Sequence, residues 1–122
     1  MASAASNLST LFGTQVCEDL MAFVDDDDSL NVCRQVASDL HWPADSVQDG
    51  GIAMALDRIE PGNSPKVIVA DISRSIDPEG DITRLIRKIG PENSLVILGT
   101  SNDVSVFRRM IALGAKDYLV KP

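Results

Sequence analysis

Apolar runs of strand length punctuate this sequence, and between them apolar residues recur at the three- and four-residue spacing of one-sided helices. LMAFV (20–24), KVIVAD (66–71) and SLVILG (94–99) are continuous rather than alternating, as in parallel strands covered on both faces. DYLVK (117–121) is a further strand, and a weaker one is expected around residues 45–48. Leu30, Cys33, Val36, Ala37 and Leu40 share one helical face. Ile52, Ala55, Leu56 and Ile59 share another, as do Ile82, Leu85, Ile86 and Ile89, then Val104, Phe107 and Ile111 with the neighbouring Met110. His41-Trp42-Pro43, Pro61-Gly62, Gly90-Pro91 and Gly114 end these helices, and Asp28 or Ser29 is placed to cap the first. The alternation is βαβαβαβαβ, which demands an α/β fold, a doubly wound parallel sheet with helices on both faces.

Residues 1–19 read differently: Ala, Ser, Thr and Asn dominate, so the chain divides into a tail and a domain over 20–122. Leu8, Leu11, Phe12 and Val16 recur near helical spacing, enough for a short docking helix within that tail. At 122 residues the chain is long enough for one core. Its net charge of −7 offers no basic stripe for nucleic acid and fits a cation site or a basic protein partner. No apolar stretch approaches bilayer length, and the first residues lack the pattern of a secretory signal, which points to a cytoplasmic protein. Cys17 and Cys33 have no metal-type spacing and read as reduced thiols, Cys33 in the core.

In a parallel sheet of this kind the functional crevice lies at the carboxyl ends of the strands. There the sequence places Asp25 and Asp26 after the first strand, Asp71 at the end of KVIVAD, Thr100 and Ser101 after SLVILG, and Lys121 at the end of the last strand. Three neighbouring carboxylates need a counter-charge to stay ionised. Mg²⁺ supplies one through oxygen ligands, and a carboxylate beside it can accept a phosphoryl group. Asp71 is the natural acceptor, Asp25 and Asp26 are natural metal ligands, and Lys121 adds a second positive contact. Within FVDDDDSL (23–30), Asp27 and Asp28 favour the N-terminus of the following helix instead. His41, the only histidine, precedes Trp-Pro in a turn and is read as structural, and Arg74, Arg84, Arg87 and Lys88 surround the third helix as a solvated or partner-facing basic group.

FVDDDDSL, VIVAD and GAKDYLVKP, in this order and spacing, resemble the receiver domain of response regulators over residues 20–122. The resemblance implies a flavodoxin-like sheet of strand order 2-1-3-4-5, Asp71 as phosphoacceptor, and Mg²⁺ held by Asp25, Asp26, Asp71 and the Ser73 backbone. It further implies Lys121 and Thr100 as phosphoryl contacts, Tyr118 as the aromatic switch residue, and a cis Lys121-Pro122 bond. Its partner would be a histidine kinase or phosphotransfer protein, and the chain would be no enzyme beyond self-phosphorylation from a donor and slow self-dephosphorylation. GTSNDVSVFRRMIALGAKDYLVKP (99–122) is more closely similar to the atypical receivers of CpaE/TadZ-type pilus-assembly proteins. That likeness implies a homodimerising, pole-associated module that meets the pilus or secretion machinery independently of phosphorylation.

The chain departs from the receiver pattern at three places. Ser75 stands where a proline is expected, and the switch-hydroxyl position falls on Gly99, one residue before Thr100. The sequence ends at Pro122, where a receiver is expected to continue into a final helix. Either it is a segment of a longer protein, or the bared sheet face is expected to be covered by a second copy or by the tail. An Asp-nucleophile hydrolase would need a second Asp two residues after Asp71, where Ser73 stands.

Overall fold

A computed structural model describes residues 20–122. The tail expected over 1–19, with its apolar group and Cys17, lies outside the described residues. The elements run β1 (Leu20–Val24), α1 (Asp27–Asp39), β2 (Val47–Asp49), α2 (Gly51–Arg58), β3 (Val67–Asp71), α3 (Pro78–Ile89), β4 (Ser94–Gly99), α4 (Val104–Leu113) and β5 (Asp117–Val120). All four strand pairings are parallel and the sheet order is β2-β1-β3-β4-β5. The expected strand at 45–48 begins later, because Ala44–Ser46 form a single 3₁₀ turn before β2.

The two faces of the sheet are covered unequally. Phe23, Ile68, Ala70, Leu95, Ile97 and Tyr118 point to the side occupied by α2, α3 and α4, whose Ile52, Ala55, Ile82, Leu85 and Met110 complete the larger core. The other side carries α1 alone among the described residues, which packs Leu30 and Ala37 onto Val24 and Val47. At roughly 25 cal/mol per Å² of apolar area removed from water, this burial is the main force holding the layers together. Val67, Val69, Val96 and Leu98 on the thinly covered face are only half-buried, and Leu119 is exposed.

Two helices present a different face from the one the spacing predicts. In α1, Val36 and Leu40 are exposed together with Val32, while Leu30 and Ala37 are buried and Cys33 is half-buried. The stripe is wider than the single seam that α1 makes with β1 and β2, so its far edge stays in water. In α4 the predicted set splits: Val104, Phe107 and Ile111 are exposed, and the packed line is Val106, Met110 and Leu113. Both lines obey helical spacing, and contact with the sheet decides between them.

Candidate functional site

Helix capping fixes the first half of the site. The N-cap of α1 is Asp26, not the expected Asp28 or Ser29. Its carboxylate accepts from the Ser29 backbone N–H at 2.9 Å and from the Ser29 hydroxyl at 2.8 Å, leaving Asp27 and Asp28 in the first turn to face the helix dipole. The remaining donor to Asp26 comes from the far end of the chain: Lys121 Nζ lies 2.6 Å from Asp26 Oδ1 and 2.7 Å from Asp71 Oδ2. The side chains of Asp26, Asp71 and Lys121 therefore meet, and Asp25 joins them through its backbone N–H, which donates to Asp71 Oδ2.

Asp71 is wholly buried, and both of its carboxylate oxygens accept hydrogen bonds. Its Oδ1 accepts the Ser73 backbone N–H at 2.9 Å and the Ser73 hydroxyl at 2.5 Å. Its Oδ2 accepts Lys121 and the Asp25 backbone N–H, the latter at 3.2 Å. Burial alone would push this carboxyl up, but the hydrogen bonds from Lys121, Ser73 and Asp25 outweigh it and hold Asp71 below the usual range. Asp26 is also pulled down, chiefly by Lys121 and then by Ser29. Lys121 would be lowered by its own burial, yet the two carboxylates raise it. Asp25 goes the other way. Burial and the charge of Asp71 push its carboxyl up against the Arg74 backbone N–H, the Arg74 charge and Lys121.

Those opposed directions bear on a divalent cation. Asp25 and Asp71 supply hard carboxylate oxygens, and Asp25 is the acid that burial and the neighbouring Asp71 charge raise despite Arg74 and Lys121. Mg²⁺ commonly uses only one or two carboxylates and keeps several waters, so this donor set fits it. Asp26 and Asp71 both already accept from Lys121 and from a serine, so a cation would share these two carboxylates with those donors. Among the described residues no three His, Cys, Asp or Glu side chains are grouped to hold a metal.

The neighbouring loops complete the rim. Ser75, in place of the expected proline, donates its hydroxyl to Asp81 Oδ2 at 2.6 Å and its N–H to the Ile72 carbonyl, so the loop after Asp71 is closed by hydrogen bonds instead of a ring. Thr100 stands exposed beyond the end of β4, and the α4 cap is Asp103, which accepts the Ser105 N–H at 2.8 Å. Thr100, Ser101, Ser73, Ser75, Gly99 and Tyr118 are among the residues lining a cavity of about 480 Å³, to which Asp71 itself does not contribute. Tyr118 is buried and donates its hydroxyl to the Ser101 carbonyl at 2.8 Å. Cys33 lies close enough to feel Asp26 and Asp71, and burial first, then those charges, push its thiol up, away from reactive thiolate character. The described peptide bonds contain no cis linkage, so Lys121-Pro122 is trans, contrary to expectation.

Two interactions carried no sequence signal. Arg109 makes a two-pronged ion pair with Glu79 at 2.8 and 3.0 Å, tying α4 to the start of α3. Lys88, expected on a solvated basic face, donates to the Leu56 and Ile59 carbonyls and closes the end of α2. Arg84, from the same group, pairs with Asp81.

A parallel 2-1-3-4-5 sheet defines the flavodoxin-like class of α/β fold, and here a buried acid ends β3 and a lysine just past β5 reaches it. No family model and no curated protein matches the chain. Solved structures do. A pilus assembly protein CpaE from Caulobacter crescentus superposes with a TM-score of 0.70 at 21% identity, over 84% of this chain and 81% of that one. A CpaE2 pilus assembly protein from Sinorhizobium meliloti gives 0.72 at 22%, over 85% and 88%. A response regulator receiver protein from Burkholderia phymatum gives 0.58 at 20%, over 84% and 82%. The fold is thus the CheY-like receiver fold, shared by pilus-assembly and signalling proteins. No helix among the described residues is long and apolar enough to cross a membrane.

Proposed function

We propose that this domain is a receiver that accepts a phosphoryl group on Asp71. The observation that carries the proposal is a wholly buried carboxylate kept ionised by a lysine from another strand. A buried carboxylate held this way is costly as mere structure and suited to reaction. In the step, an Asp71 oxygen attacks the donor phosphorus and a P–O bond forms. The bond from phosphorus to the donor's leaving atom breaks, and that atom keeps the electron pair. The leaving atom is a histidine nitrogen in a kinase or phosphotransfer protein, or the acyl oxygen of a small phosphodonor. Lys121 stays at the acceptor and neutralises negative charge, and the protein chiefly positions the parts. Asp25, Asp26, Asp71 and the Ser73 backbone would hold Mg²⁺, whose chemistry there is to screen the phosphoryl oxygens. The role is that of a signalling acceptor and not of an enzyme with turnover.

A second reading, a dimerising and localising module of a pilus-assembly protein that needs no phosphorylation, draws on the likeness to CpaE and CpaE2 and on the exposed apolar residues of α1 and β5. It places the protein in the cytoplasm near the cell pole. Incubation with acetyl phosphate and Mg²⁺ separates the two. The first reading expects the mass of one phosphoryl group on the native protein and none on Asp71→Asn. Absence of any gain in the native protein refutes it and leaves the second.

A further inference from the structure

Tyr118 is the chain's one tyrosine, and although it belongs to the edge strand β5 it is only 5% exposed. Its ring lies over Gly99, at the end of the neighbouring strand. A Cβ on Gly99 would stand 2.5 Å from the tyrosine Oη, 2.9 Å from Cε1 and 3.0 Å from Cζ. The first two are closer than real Cβ atoms come and the third is at the tight limit; the nearest is the hydroxyl at the end of the side chain, and the other two belong to the rigid ring. Gly50, Gly51, Gly62, Gly90 and Gly114 have positive φ, but Gly99 does not. Glycine is therefore needed at position 99 for space and not for backbone conformation. The ring fills that space, and its hydroxyl is tethered to the Ser101 carbonyl in the loop leading to α4.

We infer that Gly99 is a positioning residue that locks Tyr118 inward, and that through the Ser101 tether it fixes the β4–α4 loop in one arrangement whatever the state of Asp71. Any side chain at 99, hydroxyl-bearing or not, would contest the volume that the ring occupies. With glycine there, nothing in the strand competes, and outward rotation would forfeit both the aromatic burial and the hydrogen bond. The Arg109–Glu79 pair braces the same side by holding α4 to α3. Independence from Asp71 rests on the acceptor reading above; the lock itself does not.

The single tyrosine makes the test direct. The whole chain labelled with 3-fluorotyrosine is expected to give one buried ¹⁹F resonance, unmoved by acetyl phosphate and Mg²⁺ while intact mass on the same sample reports Asp71. A mass gain with an unmoved resonance supports the lock. A mass gain with a shifted resonance overturns its independence of Asp71 but keeps the acceptor. No mass gain removes the acceptor reading, and a mutant cycle then decides the lock. Gly99→Ala is expected to move the resonance to a solvent-exposed position and lower the urea midpoint. That drop is expected to vanish when position 118 is already alanine. A drop of the same size in the Tyr118→Ala background, or an unmoved resonance in Gly99→Ala, overturns the lock. Should Gly99→Ala fail to fold, Gly99→Ala/Tyr118→Ala is expected to fold as well as Tyr118→Ala; its failure is equally decisive.

Discussion

Replacing Lys121 by methionine keeps most of the side chain's length and removes its ammonium. Asp71 then keeps three neutral donors, the Ser73 N–H, the Ser73 hydroxyl and the Asp25 N–H, and loses the charged one. A hydrogen bond to a charged group contributes about 1.5–3 kcal/mol net. Orphaning a buried charge altogether costs about 3–5 kcal/mol, an upper bound here because three donors stay. Asp26 is 35% exposed, so water replaces its lost partner and adds about 0–1 kcal/mol. The expected loss is about 2–3 kcal/mol near neutral pH, read as a urea midpoint shift at constant m. The pH dependence is the sharper readout. In the native protein the Asp71 pKa is depressed, so its contribution is complete above the unfolded-state value and disappears as pH falls through the folded one. Without the ammonium, the hydrogen bond that does most to hold this carboxyl down is gone, so it takes up a proton at higher pH in the variant than in the native protein. The stability gap between the two proteins should therefore narrow as pH falls through the variant's Asp71 titration. A gap under about 0.5 kcal/mol at pH 7, the scale of an exposed pair, or one flat with pH, would refute the reasoning.

Asp103→Ala removes the N-cap of α4 and should cost about 1 kcal/mol in urea denaturation. Arg109→Ala breaks an ion pair whose side chains are 62% and 45% exposed, so its cost should stay below about 1 kcal/mol and shrink further with added salt.

The strands were the most legible part of the sequence because a strand covered on both faces leaves a continuous apolar run. LMAFV and SLVILG match β1 and β4 residue for residue, while KVIVAD and DYLVK each run one residue longer than β3 and β5. Helix faces were less legible: α4 carries two apolar lines with the same period, and only the position of the sheet selects Met110 over Phe107. The convergence of Asp25, Asp26, Asp71 and Lys121 could be read from strand ends alone. The particular partner of each acid could not. Asp26 turned out to be both helix cap and lysine partner, because a cap is chosen by where the helix begins, and four consecutive aspartates leave that start ambiguous. The Tyr118–Gly99 contact was hidden for another reason: a glycine kept for room looks the same in sequence as one kept for a turn.

The lysine that balances the acid rim stands 95 residues from Asp26 and 50 from Asp71, on the last strand of an edge-to-edge array. Until that strand docks, an acidic pit is open on a half-built sheet, offset only by Arg74 and the neutral donors of Ser73 and Asp25. Completion of the architecture and neutralisation of the pit are thus a single event. A chain that misplaces its final strand announces the error electrostatically, as a partly assembled body with an exposed, repelling mouth.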